Sequence, residues 1–248
     1  MATASAPLAE PQASISPFGR LIGVIFSPKA TFADIVRKPS WLLPVILFAV
    51  FGAIVAVVLN QKMDWREYMS QQIEKSPRAA SLSAEQKQQQ IEAGAKFAPI
   101  SAYVFGIPAP LVIVLIVAGA MLLAYNLFAG ANVNYATSLA IISHSFVPWL
   151  VGNLIFLLVL FLKPRGTLDL DNPLATNAAA FLPEGSAKWL EALAKNVDLL
   201  AIWITILIAI GFSAANPRKL QGNKSFAIAF GVFAVYIVVR VGLAFILS

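Results

Sequence analysis

Apolar positions in this chain run on over lengths that no soluble core requires. Five stretches qualify: Trp41–Leu59, about Ser101–Phe128, Ala136–Leu162, Val197–Ala215 and Phe226–Leu247. Each meets the roughly 20 residues a helix needs to cross a ~30 Å hydrocarbon layer. Peptide groups find no water at that depth, so such runs must close their hydrogen bonds internally as helices. The pattern predicts an all-α polytopic membrane protein, with five transmembrane helices over residues 41–248. In the second run, Pro108 and Pro110 predict a kink or an interfacial first turn, because proline removes a helix donor.

The segments between the runs have patterns of their own. Residues 1–16 are Ala/Ser/Pro-rich, carry no basic residue, and read as a disordered tail. They lack the positive start and apolar run of a signal peptide. Over residues 17–40, Phe18, Leu21, Ile22 and Ile25 fall on one helical face with Arg20 off it. Ser27-Pro28 breaks that helix, and Thr31 is placed to cap a second one bearing Phe32, Ile35 and Val36. Both pieces are too short to span. They are expected to be interfacial amphipathic helices, with Arg20, Lys29, Arg37 and Lys38 toward headgroups. Packing of the same segment against its own bundle is the competing expectation. Loop 60–98 is polar and Gln-rich, and Ser83 followed by Gln86 predicts a capping box opening a solvated helix. In loop 163–196, Trp189, Leu190, Leu193 and Val197 make an amphipathic face expected to lie on the outer membrane surface.

Composition sharpens this picture. The chain is 59% hydrophobic and 12% charged, against about 45–50% and 25% in soluble domains. A formal charge of +6 would suggest nucleic acid in a soluble protein. Here the basic residues flank apolar runs, where orientation and anionic lipid account for them. With the N-terminus cytoplasmic, the inner segments hold Arg20, Lys29, Arg37, Lys38, Arg218, Lys219 and Lys224 against Glu10 and Asp34. The long outer loops nearly balance their charges. The expected topology is therefore N-terminus inside and C-terminus outside. There is no cysteine, which removes disulfides and thiolate chemistry.

Candidate chemistry concentrates between Leu123 and Leu154. Gly130, Asn132 and Asn134 join two apolar segments, and the second carries the only histidine, His144, with Pro148 four residues on. Pro148 cannot donate to the carbonyl of residue 144, which leaves an acceptor free beside an imidazole and Ser143 and Ser145. Asn126 can reach similar depth, and Asn216 can join at the inner end of the fourth run. One reading is a polar partner, lipid or ion site near the cytoplasmic face. The other is interhelical hydrogen bonding that only holds helices together. Arg240 lies within the last run, and Asp198, at the outer end of the fourth, is its expected partner in an intramembrane ion pair. Asp169, Asp171 and Asn172 resemble the start of a calcium loop but lack its later glycine and terminal glutamate. One histidine and no cysteine argue against zinc. No nucleophile motif, phosphate-binding glycine loop or paired intramembrane acids occur, and no inverted repeat is visible. Hence no cofactor and no metal are expected, and the chain reads as a non-enzyme.

Three stretches together resemble the Yip (Ypt-interacting protein) family of five-span membrane proteins. They are SPKATFADIVRKPSWLLPVILF, AGANVNYATSLAIISHSFVPWLVGNL and WITILIAIGFSAANPRKLQGNKSFAIAF, and the resemblance runs from about Ser16 onward. It implies the fold, the span count and the membrane location. In eukaryotes it implies Golgi or ER proteins that bind Rab-type GTPases, so GTPase binding enters by family analogy only. This chain has a long first outer loop and no long acidic or Pro/Gln-rich cytosolic stretch, and is in that similar to bacterial members. A bacterial cytoplasmic membrane is the expected location, a Golgi or ER membrane the alternative. The expected role is a non-enzymatic adaptor or scaffold. It would engage a membrane-protein partner, or a second copy, through Asn126, Asn132, Asn134, His144, Pro148, Arg218, Lys219 and Lys224. The alternative is a small permease or channel with His144, Asn153 and Arg240 along its path.

Overall fold

The computed structural model describes residues 14–164, 170, 172–183 and 185–246. Eleven α-helices occur among them, and the only β pairing among them is an isolated bridge between Asn177 and Asp198. Most of the expected N-terminal tail, residues 1–13, and Asp169 and Asp171 of the acidic loop lie outside the described residues.

Two short helices come first, α1 (Pro17–Phe26) and α2 (Pro28–Arg37). Ser16 caps α1 by accepting from the Gly19 amide at 3.1 Å, and Pro17 stands at its first position, where no donor is needed. Ser27 serves as both the C-cap of α1 and the N-cap of α2, with Pro28 starting the new helix. Thr31 is therefore not the cap expected of it. It lies inside α2 and donates its hydroxyl to the Ser27 carbonyl at 2.9 Å. Gly23 lets the two helices close, since a Cβ there would strike the Thr31 hydroxyl.

Among the described residues four elements are long and apolar enough to cross a membrane: α3 (Leu42–Lys62), α6 (Ala109–Ala129), the continuous stretch Tyr135–Leu162, and α11 (Lys224–Ile246). The expected second span, 101–128, is divided. Helix α5 (Ala84–Gly106) opens with the predicted Ser83/Gln86 capping box and runs through Pro99 to Gly106. Pro108 then caps α6, and Pro110 falls in the first turn, where its missing N–H costs nothing. Gly106 packs on Gly52 of α3 so closely that a Cβ on Gly52 would lie 2.5 Å from the Gly106 carbonyl oxygen. The third span is two helices, α7 (Tyr135–Ser145) and α8 (Val147–Leu162), broken at Phe146 ahead of Pro148. The expected fourth span, α10 (Leu199–Ala215), has 17 residues, about 26 Å at 1.5 Å per residue, at the lower end of the lengths that cross a bilayer. Helix α4 (Trp65–Glu74), capped by Asp64, was not foreseen. Helix α9 (Lys188–Asn196) is the amphipathic element expected there.

Helix α10 is the hub. It packs against α2, α7, α8 and α11, and Leu207, Ile208, Ala209 and Phe212 are buried. Phe32 of α2 is fully buried beside Gly211, where a Cβ would lie 3.0 Å from the phenyl ring and closer still to Ile141 of α7. The N-terminal hairpin is thus seated on the bundle. Its outward face carries Phe18, Ile22 and Phe26, 65%, 63% and 79% exposed, while Arg20, Leu21 and Val24 point inward. The expected orientation of Arg20 toward headgroups is corrected accordingly. In lipid the apolar stripe need not be the packed one.

Candidate functional site

The turn joining α6 to α7 is built by side-chain amides. Gly130 ends α6 at φ 58, and its N–H bonds the Asn126 carbonyl at 3.0 Å. Glycine favours this left-handed position because it has no Cβ. Asn126 then holds Val133 from both sides, its Nδ2 donating to the Val133 carbonyl and its Oδ1 accepting from the Val133 amide, each at 2.9 Å. Asn134 caps α7 by accepting from the Thr137 amide at 2.9 Å. Asn216 reaches across from the end of α10 and donates to the Ala131 carbonyl at 2.8 Å, while its Oδ1 accepts from the Lys219 amide. Three of the four amides are therefore committed to backbone. Asn132, at φ 52, projects from the turn and is exposed.

The Asn216 bond makes one surface of two loops. Asn132 stands on one side, and Arg218, Lys219 and Lys224 are exposed on the other. None of the three cations forms an ion pair with a described residue. Leu220, 2% exposed, pins the basic loop into the core.

His144 and Pro148 do not belong to that surface. Both are buried. His144 lies ten residues beyond the Asn134 cap, about 15 Å along α7. Its Nδ1 is 2.9 Å from the Ala140 carbonyl, one turn back in the same helix. A carbonyl only accepts, so Nδ1 carries the proton. The imidazole is thus satisfied within its own helix there, and links no second helix through this nitrogen. Next to it, Ser145 Oγ is buried with no partner among the described residues. Hydroxyls make further ties between helices, beside the Asn60 amide of α3, whose Nδ2 donates to the Pro99 carbonyl of α5 at 3.2 Å. Tyr125 Oη donates to the Ser225 carbonyl at 2.8 Å, Ser225 Oγ donates to the Ala209 carbonyl at 2.6 Å, and Ser138 Oγ donates to the Ala118 carbonyl at 2.7 Å. The Tyr125 ring stacks on Phe212 at 3.9 Å.

Sequence reasoning missed the most concentrated charge cluster. Asp34, near the end of α2, accepts from Arg20 Nε at 2.8 Å and is paired with Arg20 Nη2 at 2.8 Å and Arg37 Nη2 at 3.0 Å. Arg20 Nη1 also donates to the Lys38 carbonyl at 2.9 Å and to Ser40 Oγ at 2.7 Å. Arg20 so ties α1, the end of α2 and the approach to α3 into one unit. The available signal was an arginine and an aspartate in two ten-residue helices folded back at Ser27-Pro28.

The expected Asp198–Arg240 pair is not formed. Asp198 is the N-cap of α10, its Oδ1 accepting from the amides of Leu200 at 2.9 Å and Ala201 at 3.0 Å while Oδ2 accepts from Thr176 Oγ1. Four orphan amides at a helix start compete strongly for a nearby carboxylate. Arg240 is exposed and has no ion-pair partner among the described residues. Nor do His144, Asn153 and Arg240 share a path. Asn153 lines a cleft of about 670 Å³ among α3, α4, α5 and α8, which neither His144 nor α11 lines. Of the acidic loop, Asn172 is described, and its Oδ1 accepts from Asn177 Nδ2 at 2.7 Å.

Span-length apolar helices packed around a short central one, joined by amide-built turns, define a polytopic α-helical integral membrane protein. The Yip1 domain family model matches residues 22–243. The chain belongs to that family, as its three motif-bearing stretches led us to expect. No curated protein and no solved structure matches it significantly.

Proposed function

We propose that this protein is a non-enzymatic adaptor or scaffold that engages a membrane protein through the surface formed by Asn132, Arg218, Lys219 and Lys224. The observation that carries the reading is the Asn216–Ala131 bond at 2.8 Å. It ties the 130–134 turn to the basic loop, so a residue in a left-handed turn and three cations without an ion-pair partner among the described residues are displayed on joined loops. A fixed cationic face suits an acidic segment of a partner, since complementary charge guides and orients encounter. Excess basic residues on short loops mark the cytoplasmic side. On that reading the N-terminus and this face are cytoplasmic, the C-terminus is outside, and the membrane is the bacterial cytoplasmic one. His144 and Pro148 shape the α7–α8 break and are no part of the contact.

The test is purification of the full chain from native membranes in mild detergent, with quantitative mass spectrometry of the proteins that accompany it. The Arg218→Glu/Lys219→Glu variant, with Asn132→Ala beside it, is expected to lose a stoichiometric partner while eluting as a monodisperse species. An unchanged set of partners overturns the assignment. Topology is checked separately in this cysteine-free chain. A cysteine at Ser81 is expected to react with an impermeant thiol reagent from outside, and one at Gln221 to stay unlabelled.

A further inference from the structure

The cleft of about 670 Å³ among α3, α4, α5 and α8 has a size found in small-molecule sites. Its α5 wall runs from Gly94 to Gly106, about 18 Å at 1.5 Å per residue. That is a little over half of a ~30 Å hydrocarbon layer, the depth one acyl chain covers. Trp65 of α4, Phe97 and Phe105 of α5, and Trp149 of α8 give it an aromatic lining. None of the described residues lining it is charged.

The polar atoms of this lining restrict what it can hold. Asn153 is one of the lining residues, and its Nδ2 donates to the Trp149 carbonyl, one turn back, at 2.9 Å. Its Oδ1 accepts from no described residue. Trp65 and Ser101, also in the lining, donate elsewhere, to Asn60 Oδ1 at 2.9 Å and to the Ala98 carbonyl at 2.9 Å. The Gly106 carbonyl lacks its usual helical donor, because residue 110 is a proline. Asn153 lies about 14 Å along α8 from Leu162, its last residue. At that depth an acceptor without a donor is costly. A charged head would be desolvated there with no counter-charge in the lining. A spanning helix keeps its backbone donors for its own carbonyls. The cleft complements an apolar chain that ends in an uncharged donor.

We propose that this cleft binds a single-chain lipid with an uncharged hydroxyl head, the hydroxyl donating to Asn153 Oδ1 and the chain lying among the aromatic rings.

The experiment is photolabelling of the full chain in phosphatidylcholine nanodiscs. The probes are hexadecanol carrying a diazirine in its chain, the methyl ether of that probe, and the matching alkyl sulfate. Labelled peptides are identified by mass spectrometry. The alcohol is expected to label the Phe97–Gly106 stretch about fivefold more than the ether, the ratio set by about 1 kcal/mol for one hydrogen bond in the membrane. The sulfate is expected to label it no more than the ether does. Asn153→Leu keeps the volume and removes the acceptor; it is expected to bring the alcohol down to the level of the ether. Ala102 also lines the cleft, and Ala102→Phe is expected to fill it and reduce labelling by the alcohol and the ether alike. Should one variant not elute as a monodisperse species, the other decides alone. Equal labelling by alcohol and ether in the wild type, sulfate labelling at the level of the alcohol, or a deciding variant that labels as the wild type does overturns the proposal.

Discussion

Replacing Asp34 by alanine would strand Arg20, whose side chain is 5% exposed, without its counter-charge. Two unit charges about 4 Å apart attract by about 4 kcal/mol at an effective dielectric near 20. Breaking a buried pair by removing one partner costs about 3–5 kcal/mol, because the other charge stays desolvated. Arg20 keeps its bonds to the Lys38 carbonyl and Ser40 Oγ, which hold it in place and preserve that penalty. The cost falls on the docked N-terminal hairpin, whose opening equilibrium is expected to rise roughly 100- to 4,000-fold at 1.4 kcal/mol per tenfold. Hydrogen–deuterium exchange of the α1 and α2 amides in detergent reads that equilibrium directly. The cluster provides its own control. The side chain of Arg37 is 52% exposed on the same carboxylate, so Arg37→Ala should cost about 0–1 kcal/mol and move exchange by about fivefold at most. The joint change Arg20→Met/Asp34→Leu should restore protection by replacing the pair with apolar volume. If Asp34→Ala raises exchange less than about tenfold, or no more than Arg37→Ala, the pair does not hold the hairpin.

Three further outcomes follow from the packing. Gly211→Val would drive its side chain into Phe32 and Ile141, and overpacking of this kind costs about 1–3 kcal/mol; hairpin amides should lose protection before those of α6, and uniform loss would refute the seat. Tyr125→Phe keeps the stack on Phe212 but loses the bond to Ser225, and thermal melting in detergent should show a loss of about 0.6–1.7 kcal/mol, the range for interhelical bonds in membranes. Ser145→Ala removes a buried hydroxyl without a partner among the described residues, so the melting temperature should hold or rise, and a drop of several degrees would show that the hydroxyl is bonded.

Some of this was legible because the signals were local. The Ser83/Gln86 box, the Gly130 turn, the break before Pro148 and the interruption at Pro108 each depend on residues within four positions of one another. Asn216 joining the turn was also readable, since both lie at the ends of apolar runs on one side. Arg20 was not. Its helix presents Phe18, Ile22 and Phe26 outward, so apolar periodicity pointed to the wrong face; in lipid an apolar stripe can be the solvated one. The Asp198–Arg240 pair failed for a related reason. Amides two and three residues away claimed a carboxylate that the sequence offered to a cation in another helix. The tie from Tyr125 to Ser225 spans 100 residues, and a tyrosine and a serine are too common in helices to announce it.

The seat of the hairpin also sets an order of events during synthesis. Residues 17–37 leave the ribosome before α7 and α10, but the groove that receives Phe32 requires Ile141 and Gly211. At about 5–20 residues per second, roughly ten to forty seconds pass between the two. Throughout that interval Arg20 and Asp34 can find each other, while the apolar side of α2 has no groove to fill. A segment made early is thus packed late, and its docking reports that α7 and α10 have come together correctly.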